Sequence, residues 1–351
     1  MLISHSSERV RSLLCAITVS VLFTGFAPSV HADTDSSPPL TLDARGCFAR
    51  RGLDVLVFNN WYDGAFSDAK IAGVELIHHG VRTATNGDVR LEPTPAQWDR
   101  IPTLTERKVL DAEGAIETRL TYAAEKFAYT IRVEPVADGV RVRVLLDQPL
   151  PAALEGKAGF NLEFVPSAYF AKSYMMDAVT GVFPRYPIGP TRLSAQGAVE
   201  RAPFAEGRTF VLAPEDSERR VTIETKLGAL AVYDGRNQAQ NGWFVVRSLI
   251  PAGATGTVVD WTLRANTIPE WTRPAVIGHS QVGYHPALSK TAIVECDANA
   301  AAPGTVRVLR LAPDGAATEI LAAAAKPWGK YLRYQYYTAD FSAVREPGLY
   351  V

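Results

Sequence analysis

Period-two alternation of apolar and polar residues is the feature that most constrains how this sequence folds. Residues 127–133 and 140–144 place aromatic or β-branched side chains at every second position, with more polar side chains between them. Because successive side chains of a β-strand point to opposite faces, this pattern buries one face of a sheet and leaves the other in water. The alternation therefore predicts strands of half-buried sheets.

Strand-like segments recur along most of the chain and are separated by turn residues. Residues 111–114, Asp-Ala-Glu-Gly, join two of them as a hairpin connection. Further short apolar runs lie at 54–58, 210–212, 221–223, 229–233, 243–249 and 257–263. The best helical candidates are short, at 167–177 and 319–325. Many short strands with regular turns predict an all-β protein of sandwich or barrel type.

The 351 residues are predicted to form two domains that meet at a proline-stiffened link near 271–274. Residues 33–50 are a polar lead-in with little pattern. Residues 45–270 are predicted to form a large antiparallel β-sandwich. Residues 275–351 show the strand spacing of an immunoglobulin-like β-sandwich.

An apolar strand at 348–351 ends the sequence. Because an immunoglobulin-like sandwich usually takes about 100 residues, we expect 275–351 to form an incomplete one that lacks closing strands. Unpaired backbone groups beside such a gap are a template for another chain. We therefore expect this edge to self-associate or to be completed by further sequence.

Residues 1–32 have the pattern of a secretory signal peptide. Arg9 and Arg11 precede a short apolar run at 13–26, and small residues at 30–32 precede a cleavage position. The apolar run is short for a bilayer span, although an uncleaved N-terminal anchor is the alternative. The sequence predicts a secreted or periplasmic protein with no membrane span after signal cleavage.

Charge and cysteine content narrow the classes of ligand. The formal net charge of −1 provides no basic field for nucleic acid or an anionic membrane, so neutral ligands or partner proteins are favoured. Cys47 and Cys296 lie in different predicted domains, which favours two free or buried thiols over a disulfide. Glycine-rich phosphate loops and paired CxxC sites are absent from the sequence, and no cofactor is predicted.

A set of short motifs follows the predicted link. They are Ser280-Gln281-Val282-Gly283-Tyr284-His285-Pro286, the lysine-led strand at 290–294, Asp340-Phe341-Ser342, and Pro347-Gly348-Leu349-Tyr350. Together they resemble the immunoglobulin-like module of glycoside hydrolase family 9, which includes cellulases. Upstream, residues 58–64 and 159–164 look like the β-sandwich that precedes this module in some bacterial members.

The resemblance implies an accessory role. In that family the module is followed by a large barrel of paired helices that carries catalytic aspartates and a glutamate. Inverting hydrolysis needs an acid and a carboxylate held about 6.5–9.5 Å apart. No part of this sequence matches the barrel, so no residue inherits a catalytic role. The expected function is the non-catalytic region of an exported glycoside hydrolase acting on β-glucan or cellulose-type polysaccharide, with the catalytic barrel as its partner.

The densest polar and aromatic cluster comprises Asn59, Asn60, Trp61, Tyr62 and Asp63. Sugars are bound by aromatic faces, while amides and carboxylates take the hydroxyl groups. The cluster is therefore a candidate contact for an oligosaccharide or polysaccharide. The alternative is a tight turn in which Asn and Asp bond their own backbone and Trp61 fills a core.

Two further groups of aromatic residues stand out. The segment 169–187 could shape a groove or cap the end of a sandwich. Trp328 precedes a strand in which alternation places Tyr334 and Tyr336 on one face and Tyr337 on the other. Large aromatic residues on both faces predict that one face covers another part of the protein.

The adjacent His78 and His79 raise the question of a metal site. Neighbouring residues of a strand point to opposite faces, so the pair cannot easily share one ion. We therefore expect loop or surface histidines without a metal.

Two other functions remain open from the sequence. The chain could be a free-standing carbohydrate-binding protein of β-sandwich type, or a gene fragment with no independent role. Sugar binding by the isolated chain separates the first of these from the second.

Overall fold

β-Strands provide almost all of the regular structure. The computed structural model describes residues 39–59, 73–95, 100–236, 242–331 and 333–351. Within these residues several antiparallel sheets pack as sandwiches, so the all-β prediction is confirmed.

The strands are numbered in chain order. Up to residue 150 they are β1 (Thr41–Leu42), β2 (Phe48–Arg50), β3 (Leu53–Val57), β4 (Val74–His78), β5 (Val81–Arg90), β6 (Thr103–Leu110), β7 (Ala115–Tyr122), β8 (Phe127–Val136) and β9 (Gly139–Leu146). From there to residue 265 they are β10 (Gly159–Phe164), β11 (Ser173–Met176), β12 (Val179–Val182), β13 (Thr191–Leu193), β14 (Val199–Arg201), β15 (Ala205–Gly207), β16 (Thr209–Leu212), β17 (Val221–Thr225), β18 (Leu230–Asp234), β19 (Phe244–Leu249) and β20 (Gly256–Ala265). The remainder are β21 (Val276–Gly278), β22 (Thr291–Asp297), β23 (Thr305–Leu311), β24 (Ala317–Ala324), β25 (Lys326–Tyr331) and β26 (Tyr334–Asp340).

Two nine-stranded sheets form the large sandwich. The first sheet has the order β1-β2-β3-β4-β5-β10-β19-β18-β15, and the second has the order β12-β11-β16-β17-β20-β9-β8-β7-β6. Strands β13 and β14 form a separate hairpin. In the first sheet, Phe160 of β10 lies opposite Val89 of β5 and Ser248 of β19, so distant parts of the sequence pair side by side.

The core of the large sandwich lies between the inner faces of the two sheets. It follows from the alternation of the sequence, since Ile131, Val133, Val140 and Val142 are almost fully buried. The intervening Arg132 and Arg141 are only partly buried. Trp261 meets Phe160 edge to face at 4.9 Å, and its indole N–H donates to Ser248 Oγ at 2.9 Å. Burying one such large side chain contributes roughly 1.5–3 kcal/mol to folding.

The small sandwich begins after the link. Its four-stranded sheet has the order β21-β22-β26-β25, and β23 pairs with β24 in a two-stranded sheet. Its core contains Val294, Cys296 and Tyr337 from the first of these sheets and Val306 from the second. The predicted last strand also pairs with β23, because backbone bonds of 2.8–2.9 Å join Leu309 to Val351 in both directions.

The short sequence motifs that follow the predicted link converge in the small sandwich. The ammonium group of Lys290 is buried and donates to the carbonyl oxygens of Pro286 and Leu288, both at 2.9 Å. The ring of Tyr284 meets that of Phe341 edge to face at 4.9 Å. The lysine therefore holds the loop after β21 from within, and the ring pair ties that loop to the corner after β26.

Both predicted helices are wrong in most of their length. The segment 167–177 holds one helical turn, α1 (Pro166–Tyr169), and then strand β11. The segment 319–325 lies largely in strand β24, although Ala, Leu and Glu favour helices. Pairing of β24 with β23 along its length overrides that local preference. The predicted free thiols are confirmed, since Cys47 and Cys296 are unbonded and buried.

Candidate functional site

A polar cleft lies where the small sandwich meets the outer side of the first sheet. It encloses a cavity of about 140 Å³. The large sandwich contributes Arg51, Gly52, Leu53, Asp54, Ile77 and Gly80; the link contributes Trp271 and Arg273; the small sandwich contributes Asp297, Asn299, Arg333 and Tyr334. Tyr334 faces this cleft while Tyr337 is in the small core, so the predicted division of the aromatic residues between two faces is confirmed.

Two glycine turns let the link pack tightly against the large sandwich. Gly80 has φ of +71°, and a Cβ atom there would lie 3.1 Å from Arg273 Cδ and 3.2 Å from Trp271 Cη2. Gly52 has φ of +81°, and a Cβ atom there would lie 3.0 Å from the ring of His79. A side chain at either position would strain the backbone and displace the wall of the cleft.

Arg273 is the residue that joins the link to the small sandwich. Its backbone N–H donates to Asp297 Oδ2 at 3.0 Å, and its guanidinium donates to Glu295 Oε1 at 2.5 Å. The same guanidinium lies 4.7 Å from the centre of the Tyr334 ring, a cation–π distance. These contacts fix the floor of the cleft without any helix or disulfide.

The carboxylates of the cleft have different surroundings. Burial raises the pKa of Asp54, an effect opposed by the positive charges of Arg45 and Arg333. Arg45 approaches Asp54 Oδ1 at 3.2 Å. Asp297 Oδ1 accepts hydrogen bonds from the backbone N–H of Asn299 at 2.8 Å and from its amide at 3.1 Å. The cleft therefore offers carboxylates, an amide and guanidinium groups within one small region.

An aromatic strip leads out of this cleft along β26 and β25; it comprises Trp328, Tyr334 and Tyr336. The Trp328 side chain is exposed (66%) and meets the Tyr336 ring edge to face at 6.0 Å. The Tyr336 hydroxyl donates to Glu295 Oε2 at 2.8 Å, the carboxylate that also holds Arg273. Burial and this carboxylate raise the pKa of Tyr336 to about 12. The strip is thus anchored to the floor of the cleft.

This arrangement suits a neutral ligand with an apolar face and hydroxyl edges. Binding pockets for drug-sized ligands usually measure about 300–1,000 Å³, so the cavity itself takes no more than one sugar-sized group. The exposed ring of Trp328, at the far end of the strip from Tyr334, adds a flat apolar surface. Among the described residues no cluster of three His, Cys, Asp or Glu could hold a metal ion.

The predicted sugar contact falls mostly outside the described residues. This holds for Asn60, Trp61, Tyr62 and Asp63. Asn59 is described, and its amide donates to the carbonyl oxygen of Arg45 at 2.9 Å. This bond to backbone is the behaviour expected of an asparagine in a turn.

The aromatic segment 169–187 mainly caps the large sandwich. Tyr169 and Phe183 are fully buried, and Phe183 packs on Phe244 with ring centres 4.6 Å apart. Tyr186 at the end of the segment is exposed (72%). Of the two interpretations that the sequence left open, the capping role fits these residues.

The expectation of loop or surface histidines holds for the position of His79, which lies in the turn after β4, but neither ring of the pair is at the surface. His78 and His79 are buried, and their rings stack with centres 4.5 Å apart because the backbone of His79 turns into a left-handed conformation (φ +48°). His79 Nε2 accepts the N–H of Ile268 at 3.2 Å, and His78 Nε2 approaches the carbonyl of Asn266 at 2.5 Å. Burial lowers the pKa of both rings, that of His78 to about 3. The pair anchors the segment that leads into the link.

The sequence did not single out Arg273, Asp297 or Asn299 as site residues. The signal that pointed to the region was the predicted link near 271–274, where Trp271 and Arg273 stand between prolines. A scan against models of protein families and a search of curated proteins both found no match. None of the helices in the described part of the chain is long and apolar enough to cross a bilayer.

Proposed function

We propose that this chain is an accessory, carbohydrate-binding region of an exported glycoside hydrolase that acts on β-glucan or a related β-linked polysaccharide. The observation that supports the binding role is the exposed ring of Trp328 on an aromatic strip whose other end, Tyr334, lines the polar cleft. The hydrolase context rests on the motif resemblance. Its support is that Tyr284, Lys290 and Phe341, which come from three of those motifs, are used in one structural cluster.

Binding would use the two parts of the site differently. The Trp328 indole would cover the C–H face of one sugar ring, since an aromatic face offers a flat apolar surface. Hydroxyl groups of the next ring would reach the cleft, where Asp297 accepts hydrogen bonds and Asn299 both donates and accepts them. The restraint of Tyr336 by Glu295 keeps the strip ordered before the ligand arrives, which lowers the entropy lost on binding.

The test is binding of cello-oligosaccharides and soluble β-glucan by calorimetry and affinity electrophoresis. Trp328→Ala should weaken binding at least tenfold, which corresponds to about 1.4 kcal/mol. Because Trp328 is exposed, the melting temperature of the Trp328→Ala variant should stay close to that of the unaltered protein. Tyr186→Ala is the matched control, since this ring is equally exposed but lies in the large sandwich. Equal binding by both variants would rule out the strip as the contact surface.

The accessory role has its own measurement. Purified chain should release no reducing sugar from β-glucans or aryl β-glycosides. Turnover that persists through further purification, and that follows the protein across a sizing column, would replace the accessory role with a catalytic one.

A further inference from the structure

A second cavity lies at one end of the large sandwich, between the edges of its two sheets. Its volume is about 460 Å³, within the range of about 300–1,000 Å³ that is usual for ligand sites. It is bounded by the segment after β5, by the turn between β7 and β8, and by the loop that leads from β9 of the second sheet to β10 of the first. Exposed Ala124 and Ala153 stand in its wall, so the cavity opens to solvent.

The floor of this cavity is apolar. Leu91 and Leu154 line it, and both belong to the core of the large sandwich. Pro151 extends the apolar wall towards the opening. None of the described residues that line the cavity is aromatic, so the flat face of a sugar finds no ring to stack on. An apolar side chain of a ligand would instead cover the two leucines and leave water.

The rim of the cavity is charged and carries both signs. It contains Glu92, Arg100, Glu125 and Lys157. Arg100 and Glu125 form an ion pair with each other. Within the part of the chain that the structure describes, the Glu92 carboxylate and the Lys157 ammonium have no hydrogen-bond or ion-pair partner. The rim therefore offers a ligand one negative and one positive group.

A buried arginine fixes these two residues side by side. Arg247 is 2% exposed, and its guanidinium donates to the carbonyl oxygens of Glu92, at 2.5 Å, and of Lys157. Because both oxygens accept from the same nitrogen atom, the two backbone segments are held next to each other. The side chains of Glu92 and Lys157 line the same cavity without pairing across it. Opposite charges thus stand close together at its rim, each available to a ligand.

This arrangement selects a ligand that carries both charges. A ligand with one charge would bind either Glu92 or Lys157 and would be repelled by the other. An uncharged ligand would take water from both groups and return no opposite charge. A zwitterion satisfies both, because its ammonium donates to Glu92 while its carboxylate accepts from Lys157. The apolar floor then favours a zwitterion with an apolar side chain.

We propose that this cavity binds an α-amino acid or a dipeptide with apolar side chains. The ammonium group of the ligand pairs with Glu92, its carboxylate pairs with Lys157, and its side chain packs on Leu91 and Leu154. The site does not depend on the carbohydrate-binding role proposed above, since its residues all lie in the large sandwich and none belongs to the aromatic strip.

The experiment titrates L-leucine, L-phenylalanine and L-leucyl-L-leucine into the full chain by calorimetry. At least one should bind at one site per chain with a Kd of about 1 mM or below. Glu92→Gln and Lys157→Met should each weaken that binding at least tenfold. Because neither side chain has a partner to lose, both variants should keep the melting temperature of the unaltered protein. Glu155→Gln and Lys126→Met are the matched controls, since both residues are exposed beside the cavity without lining it.

Chemical variants of the ligand assign each charge to its partner. The amide of the best ligand lacks the carboxylate, so its binding should respond to Glu92→Gln and not to Lys157→Met. The deaminated acid lacks the ammonium, so its binding should respond only to Lys157→Met. Glycine, which lacks the apolar side chain, should bind at least tenfold more weakly.

Three results would overturn the proposal. They are no binding of any of the three compounds, binding that both charge variants leave unchanged, and binding of glucose or cellobiose that these variants weaken instead. The last result would assign the cavity to sugar hydroxyl groups. Trp328→Ala should leave amino-acid binding unchanged, and Glu92→Gln should leave oligosaccharide binding unchanged, so the two proposed sites stand or fall separately.

Discussion

At the scale of single residues, burial has moved several protonation equilibria in the large sandwich. Asp88 is fully buried, and burial raises the pKa of its carboxyl to about 6. Its Oδ1 accepts the hydroxyl of Tyr129 at 2.6 Å and the N–H of Val89 at 2.8 Å. These bonds favour the charged form, yet burial outweighs them. The sequence gives no sign of this, because Asp88 stands in an ordinary strand pattern.

The first prediction concerns Asp88→Asn. The folded pKa of Asp88 is about 6, above its ordinary value of 3.8, so its stabilising contribution is complete below pH 4 and is lost as pH rises through 6. Asparagine does not titrate. Between pH 4 and pH 7 the free energy of unfolding of the unaltered protein should therefore fall by about 3 kcal/mol relative to that of the variant. Urea denaturation at several pH values measures this difference, and a constant gap would contradict the assignment.

The second prediction concerns His78→Gln, in which the amide can still donate to the carbonyl of Asn266. The folded pKa of His78 is about 3, below its ordinary value of 6.5, so its contribution is present above pH 6.5 and is lost as pH falls. From pH 7 to pH 5 the unaltered protein should lose about 2 kcal/mol more than the variant. If the free energies of unfolding of the two proteins change equally with pH, the pKa of His78 is not lowered in the folded state.

At the scale of elements, close backbone approach decides which residues the strands accept. Gly139 begins β9, and a Cβ atom there would lie 2.1 Å from the carbonyl oxygen of Leu263 in β20. That oxygen belongs to a paired strand, so it cannot move aside alone. The first residue of β9 must therefore be glycine, because any side chain there would collide with the backbone of the paired strand β20.

The third prediction follows from that contact. Gly139→Ala should lower the free energy of unfolding by about 3 kcal/mol or more, because two paired strands must separate locally. Gly304→Ala is the control, since nothing lies within 4 Å of its Cβ position and its φ is not in the left-handed region. Thermal and urea denaturation of both variants compare the two sites. A similar small change at each would show that the β9 start can adjust.

An element could be predicted from the sequence where neighbouring residues determine its conformation, and not where pairing with a distant strand does. The strands at 127–133 and 140–144 were predicted because alternation is written into consecutive residues. Strand β24 was missed because its alanines favour a helix and only the distant β23 makes it extended. The cleft was missed for a similar reason. Asp54 and Asp297 are far apart in the sequence, and they line one cavity only because the link packs the two sandwiches together.

At the scale of the whole molecule, a few polar residues join the two sandwiches. Arg51 donates to the carbonyl of Trp271 at 2.7 Å and pairs with Glu270. Arg273 then continues the connection through Glu295 and Asp297. Among the described residues no strand of one sandwich pairs with a strand of the other, so these polar contacts are a route by which one could stabilise the other.

The fourth prediction tests that joint. Arg273→Ala should remove a charged hydrogen bond and a cation–π contact, which together contribute about 2 kcal/mol to the joint. In scanning calorimetry the small sandwich should then melt at a lower temperature than the large one. Arg307→Ala, at an exposed pair with Glu319, is the control and should leave the profile unchanged. Identical profiles for the two variants would mean that Arg273 does not couple the sandwiches.

The strand order of the first sheet also sets the timing of folding. Gly159 of β10 pairs with Arg90 on one side and with Leu249 on the other, so three stretches far apart in the sequence must be present together. Topologies of such high contact order fold slowly, on the scale of milliseconds to seconds. A chain emerging from the ribosome keeps an open strand edge at β10 until residue 249 has been made. That interval is when the protein is most exposed to aggregation, and when a holding chaperone would help it most.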